Sequence, residues 1–485
     1  MTDSEQHSPA TDPALLDALR EHVQGALPTT IADLSSLVRL PSVSWSAFDP
    51  ANVRASAEAV ADLARSTGVF GADDVRIVRS AVSGSTADVA EADADAETEL
   101  GQPAVLAVRP ARNGKPTVML YAHHDVQPQG DEAQWETPPF EPTLRGDRLY
   151  GRGASDDKAG VMTHIASLRA VHAQFGDDLD LGIVLFVEGE EEFGSRSFRT
   201  FLREQKEHLA ADVIVVADSD NWSTEVPSIT VSLRGNVTFK LTLTTLEHAS
   251  HSGMFGGAAP DAMIPMVQLL ASLHDADGSV AVDGLTSYEA DVPERTEDEL
   301  AVDAALVPGV RPIGTGAVLS RMWFQPSITV TGMDVPSVAN ASNTLLPTVS
   351  ARVSVRIAPG QDAREAYDAV ERHLREHVPF GARMEITEPD SGDGFLVDTA
   401  GWAVQEARTA MREGWGAEAV EQGIGGSIPF VSDLAAEFPD AQILVTGVED
   451  PDTRAHSPNE SQHLGVLHRA IASETILLAR LATRS

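Results

Sequence analysis

Four short apolar runs, each leading into residues able to bind a metal, constrain this chain more than any other feature. Thr117–Ala122 leads into His123-His124-Asp125, and Gly182–Val187 into Glu188-Gly189-Glu190-Glu191-Glu192. Asp212–Ala217 leads into Asp218-Ser219-Asp220, and Gln442–Thr446 is followed, after a short loop, by Arg454-Ala455-His456-Ser457. Short, nearly continuous apolar runs read as strands buried on both faces. Helical patterns separate them, notably over Lys158–Phe175 and Phe198–His208. Strands alternating with helices predict an α/β domain with a mostly parallel, mixed sheet. Ligands of such open sheets gather beyond the carboxyl ends of the strands. The polar strand ends are therefore expected to converge.

A fifth element fits the same cleft. Tyr150–Lys158 (YGRGASDDK) carries glycines that allow a tight turn, just before a helical pattern. Ser155 or Asp156 is placed to cap that helix. Taken singly, each residue has a plainer reading: a surface histidine, a solvated acidic loop, a capping aspartate. Those readings weaken when all five segments fall at strand ends or helix starts of one domain. The chain has no cysteine, which removes disulfides, thiolate ligands and cysteine nucleophiles. Imidazole and carboxylate donors without sulfur suit a hydrolytic pair of divalent ions, about 3.5–4 Å apart, sharing a carboxylate and a water. A free carboxylate must then take the proton of that water. Adjacent Glu191 and Glu192 can divide the two roles, one binding and one free.

The rest of the chain supplies the domain plan. Asp12 and Pro13 signal the start of a first helix, with Leu15, Leu16, Leu19 and Val23 as its apolar stripe. Ser80–Gly101 is rich in Ala and Asp and reads as a surface loop. From Asn236 onward the pattern changes to alternating strands and two helices, in the order β-α-β-β-α-β of ferredoxin-like domains. Within it, Asp275–Gly316 is acidic, irregular and carries one short helical pattern. The expected organisation is a catalytic domain in two parts, 1–234 and 391–485, with an inserted α+β domain at 235–390.

Charge narrows the partners. The formal net charge is −38, which argues against a nucleic-acid backbone or an anionic membrane surface. No stretch reaches the ~20 apolar residues of a membrane span. Met1–Ala10 lacks the basic start and apolar run of a signal peptide. A cytoplasmic location is the expectation.

The strings YAHHDVQP, LYGRGASDDKAG, FVEGEEEFGS, VVADSDNW and RAHSPNE resemble, in order, the motifs of carnosinase-like metallodipeptidases. That group is part of the di-zinc family of carboxypeptidase G, succinyl-diaminopimelate desuccinylase, acetylornithine deacetylase and aminoacylase. The likeness runs from about Val118 to Glu460. It implies two metal ions per chain, Zn2+ or else Mn2+ or Co2+. His123 and Asp218 resemble the ligands of one, Glu192 and His456 those of the other, and Asp156 the bridging carboxylate, with a cis peptide to Asp157. Asp125 resembles the residue that orients His123, and Glu191 the general base. The inserted domain resembles a lid that also forms a homodimer. In it, His251 resembles the histidine that reaches the partner subunit's site, and Arg356 the grip on a substrate carboxylate. Asn343 resembles a polar lid residue, and Gly426 and Ser427 the loop at the substrate's C-terminal end. The implied substrate is a dipeptide or short peptide with a free carboxylate. An N-acyl amino acid, cleaved at the same site, is the alternative; the Trp135 segment and the strings SDNW and SLRG resemble the dipeptidase branch better.

Overall fold

The computed structural model describes residues 10–82, 98–426 and 429–484. The first part of the chain forms α1 (Pro13–Val38), α2 (Pro50–Ser66), β1 (Val75–Val78), β2 (Ala104–Arg109), β3 (Thr117–His123), β4 (Thr143–Arg145), β5 (Arg148–Tyr150), α3 (Lys158–Phe175), β6 (Gly182–Glu188), α4 (Phe198–Leu209), β7 (Val213–Val216) and β8 (Ser228–Leu233). The middle forms β9 (Gly235–Thr244), β10 (Ser250–His251), α5 (Ser252–Phe255), α6 (Met263–Ala271), α7 (Glu297–Asp303), α8 (Val318–Trp323), β11 (Ser327–Asp334), β12 (Thr344–Leu345), β13 (Thr348–Ile357), α9 (Ala363–His377), β14 (Arg383–Gly392) and β15 (Phe395–Leu396). The last part forms α10 (Trp402–Trp415), β16 (Val420–Ile424), α11 (Pro429–Glu437), β17 (Gln442–Thr446), β18 (Ser461–His463) and α12 (Leu464–Thr483).

These elements separate into two compact units. One comprises Met1–Thr230, Val397–Gln422 and Asp433–Ser485; the other comprises Val231–Leu396 and Gly423–Ser432. The short segment Gly423–Ser432 therefore groups with the middle of the chain, not with the sequence that flanks it.

In the first unit the sheet runs β1-β2-β6-β3-β7-β17-β8. Its centre, β6-β3-β7-β17, is parallel, and its flanks are antiparallel. The central strands are buried almost throughout, which explains their unbroken apolar runs. Helices α3 and α12 bury most of their lengths against this core. The cap at Asp12 forms as its position suggests, accepting from the amides of Ala14 and Leu15 at 3.0 and 3.1 Å.

The second unit holds a four-stranded antiparallel sheet, β11-β13-β9-β14. Residues of β9 and β13 alternate between buried and partly exposed, so one face is covered. The cover includes α6 and α9, whose Met266, Leu269, Ala366, Val370 and Leu374 join Val237, Phe239, Val353 and Val355 in one apolar cluster. The acidic stretch between α6 and β11 contains α7, started by a capping box of Thr296 and Glu299. Most of the Ala/Asp-rich loop from Ser80 lies outside the described residues.

Candidate metal centre

The strand ends meet because their registers are parallel. His123 pairs with Glu188, and Tyr121 with both Phe186 and Val216. His123 ends β3, Asp218 follows β7, and Glu191 and Glu192 lie in a single turn after β6. Asp156 comes from the turn before α3, and His456 from the loop after β17. Ligand atoms of His123, Asp156 and Asp218 lie within 4.8 Å of one another, and so do those of Asp156, Glu192 and His456.

Asp156 belongs to both triads. Its Oδ1 is 3.1 Å from His123 Nε2, and its Oδ2 is 2.9 Å from His456 Nε2. Glu192 Oε2 lies 3.2 Å from the same His456 nitrogen. Asp218 Oδ1 lies 3.9 Å from His123 Nε2. One carboxylate thus offers one oxygen to each triad. Two imidazoles and three carboxylates with no sulfur fit a pair of divalent cations sharing a bridge. Glu191 stands outside both triads, its Oε2 4.0 Å from His123 Nε2 and its side chain one-fifth exposed. The peptide joining Asp156 to Asp157 is cis.

The supports are short-range and specific. Asp125 is fully buried. Its Oδ1 accepts from Glu191 N at 3.1 Å, and its Oδ2 from Glu192 N at 3.2 Å and Ser44 Oγ at 2.7 Å. Its backbone oxygen lies 3.1 Å from His123 Nδ1. One residue therefore fixes the imidazole and the turn of the tandem glutamates. Gln127 donates its backbone amide and its side-chain amide to Glu192 at 3.1 and 2.6 Å. The loop carrying His456 has left-handed backbone at Arg454, His456 and Asn459, a conformation non-glycine residues hold only where surroundings impose it.

Crowding shows in the acidities. Burial, reinforced by neighbouring carboxylates, pushes Glu191 well above the usual carboxylate range. Burial raises Glu192 to about 7 and Asp218 to about 6. Burial also opposes ionisation of Asp156, but hydrogen bonds from His123 and His456 outweigh it and hold that carboxyl below its usual range. His456, bonded to Asp156 and Glu192, is pushed up to about 11. Carboxylates packed this closely call for compensating positive charge. That need is a second reason why cations fit here.

Some local expectations need correcting. Neither Ser155 nor Asp156 caps α3. Asp157 occupies the cap position without a side-chain cap, and its Oδ2 instead accepts from His123 N at 3.1 Å. Ser155 Oγ donates to Gln462 Oε1 at 2.7 Å. Tertiary partners outcompete the local cap. His124 belongs to neither triad; its Nε2 lies 2.9 Å from the Pro103 carbonyl, and burial lowers its pKa to about 4.

His251, Asn343, Arg356 and Gly426 belong to the second unit. His251 is exposed and accepts from Gly253 N through Nδ1 at 3.0 Å. Pairing of β10 with β12 sets His251 opposite Thr344, and the Asn343 carbonyl accepts from Ser252 N at 2.9 Å. Arg356 lies on β13 opposite Ser327 and Asn236. Ser427 lies outside the described residues.

Arg234 and Glu460 carry no local sequence pattern that signals a role. Arg234, in the string SLRG, donates to the Gly425 carbonyl at 2.9 Å and to Ser327 Oγ at 3.2 Å. Burial and nearby Arg356 lower its pKa to about 10. Glu460, the last residue of RAHSPNE, is fully buried beside the Asp156 turn. Its place in that string is its one sequence signal.

The model of peptidase family M20/M25/M40 matches residues 119–480. A cysteinylglycine-S-conjugate dipeptidase of Corynebacterium striatum is 34% identical over 392 residues, covering 79% of this chain and 84% of that protein. A Beta-Ala-His dipeptidase of Homo sapiens is 28% identical over 376 residues, covering 74% of this chain and 73% of that one. The crystal structure of human carnosine dipeptidase 1 shares the fold, with a TM-score of 0.75, 22% identity and coverage of 98% of this chain and 100% of its own. Among the described residues no helix is long and apolar enough to cross a membrane.

Proposed function

We propose that this chain, which belongs to peptidase family M20/M25/M40 and is a hydrolytic enzyme, is a metallodipeptidase cleaving dipeptides or short peptides with a free C-terminal carboxylate. The observation that carries this reading is the pair of triads sharing Asp156, with a free carboxylate, Glu191, beside them. Relatives named as dipeptidases support the substrate class.

His123 and Asp218 would hold one divalent ion, Glu192 and His456 the other, and Asp156 both; zinc, manganese and cobalt all suit these donors. When bound, the pair supplies Lewis acidity that polarises the scissile carbonyl and makes water more acidic. Glu191 takes the proton of the attacking water and passes it to the leaving amine. Asp125 keeps His123 and the Glu191–Glu192 turn in register with that task. We assign His251 of the partner subunit, in a homodimer formed through the second unit, to hydrogen-bonding the oxyanion. The exposure of His251 within its own unit leaves it open to such a role. Arg356 would take the terminal carboxylate through its paired donors, with Asn343, Gly426 and Ser427 lining the same end.

The test is a paired panel: unblocked dipeptides against N-acetyl and N-succinyl amino acids, with metal-reloaded and chelated protein. Metal-dependent cleavage of the dipeptides is the expected result. Preference for the acylated compounds would make the chain a deacylase working with the same residues. Turnover that survives complete chelation would overturn the metal reading.

A further inference from the structure

We propose that Glu460 is the positioning residue for Asp156, and that it makes the two ion sites depend on each other. The proposal rests on the reading of Asp156 as the shared ligand. Glu460 is fully buried. Its Oε1 accepts from Ser155 N at 3.0 Å and Asp156 N at 3.2 Å. Its Oε2 accepts from Gly153 N at 3.0 Å and Arg152 Nη1 at 2.6 Å. All four donors lie within Arg152–Asp156. The Glu460 backbone oxygen also accepts from Gly151 N at 3.0 Å.

The turn that presents Asp156 is thus wrapped around one distant carboxylate. The residues after Glu460 tighten the wrap. Ser461, Gln462 and His463 pair with Tyr150, Leu149 and Arg148. Gln462 accepts from Ser155 Oγ at 2.7 Å and donates to the carbonyls of Val448 and His463 at 2.9 and 3.0 Å. Glu460 follows His456 by four residues, so one segment both delivers a ligand and fixes another.

Stability alone is a poor reason for this arrangement. A buried ion pair such as Arg152–Glu460 is often no better than an apolar replacement of the same shape. What an apolar pair cannot do is gather three amides and set the backbone of Asp156. Each triad takes one Asp156 oxygen, so a shift of that backbone disturbs both together. Loss of Asp218 or Glu192 should disturb one triad more than the other.

Glu460→Gln is the direct probe. Gln keeps the size but has one accepting oxygen, and its amide group would face donors. The measurement is metal affinity by chelator competition on the full chain, with metal content per chain, metal-free melting, kcat and KM. Wild type, Asp218→Asn and Glu460→Asp run alongside. Affinity for both ions is expected to fall by about 10- to 100-fold in Glu460→Gln, with kcat reduced and KM little changed. Asp218→Asn should weaken one ion selectively. Glu460→Asp, which keeps the charge against Arg152, should show a smaller joint loss, and it stands in if Glu460→Gln does not fold.

A merely structural role predicts lower metal-free melting with unchanged affinity in the folded protein, and that result would overturn the proposal. So would weakening of one ion alone. A wild-type chain that binds no ions would overturn the reading of the whole site, and this inference with it. A wild-type chain that binds two, and a Glu460→Gln variant that binds them equally well, would overturn this inference alone.

Discussion

In the second unit the cluster beneath β9 and β13 is apolar from Val237 to Leu374, whereas the first unit buries His123, Asp125, Arg152, Asp157, Lys158, His164, Glu188 and Glu460. The second unit is assembled by amphipathicity. Alternating strands and an amphipathic α9 put apolar groups on one face, and burial of that face stabilises the fold. The first unit has an apolar sheet as well, but around its strand ends it accepts groups that cost free energy to bury unless each is paired. Those pairs form a chain of positions: Asp125 on His123 and the tandem glutamates, Asp157 on His123, Glu460 on Asp156. Polar burial there fixes geometry, and apolar burial in the second unit fixes shape.

The largest effect that tests this contrast is on turnover. Glu191→Gln removes the proposed base while leaving both triads complete. Turnover of dipeptides should fall by about 10²- to 10⁴-fold, with metal content per chain unchanged. Loss of a metal in this variant would show that Glu191 is a ligand and that the division between Glu191 and Glu192 is wrong.

A core truncation in the second unit should do the reverse. Phe239 is 1% exposed and meets the Tyr367 ring edge-on at a centroid distance of 6.1 Å. Phe239→Ala should cost about 3–5 kcal/mol of folding stability. Metal affinity of the first unit's triads should be unaffected, as measured by chelator competition below the melting transition. A matching loss of metal would mean that the two kinds of core are not independent.

The contrast also explains what could be read from the sequence. The strands of both units were visible because their signals are local: unbroken runs in β3, β6, β7 and β17, alternation in β9 and β13. The acidic strand ends were visible because each follows such a run. Glu460 sits inside the RAHSPNE string without a visible role, because its partners lie about 300 positions away and leave no local pattern. The capping pattern before α3 misleads for the same reason: Ser155 and Asp157 bond to Gln462 and His123 rather than to their own helix. The grouping of Gly423–Ser432 with the second unit is likewise a product of tertiary contact. Periodicity reports which face is buried, and it is silent on which distant residue a buried polar group will find.

A smaller effect separates the two units by pH. His164 on α3 is fully buried. Its Nδ1 is 2.9 Å from Glu474 Oε2 on α12, and its Nε2 is 2.9 Å from the Tyr121 carbonyl on β3. Both ring nitrogens face acceptors, which the doubly protonated ring satisfies. Burial lowers its pKa, but Glu474 and the Tyr121 carbonyl more than offset this and leave it raised above 6.5. A histidine whose folded pKa is raised contributes stability that is fully present below the unfolded value and is lost as pH climbs through the folded one. The stability gap between metal-free wild type and His164→Gln should therefore narrow as pH rises above 6.5, by at most about 1.4 kcal/mol per pH unit for one proton. The cost of Phe239→Ala involves no titrating group and should stay flat over the same range. Denaturant titrations of the three proteins at several pH values check both statements. A gap for His164→Gln that does not change with pH would show the ring to be neutral when folded, leaving Glu474 as a buried charge held by a neutral donor.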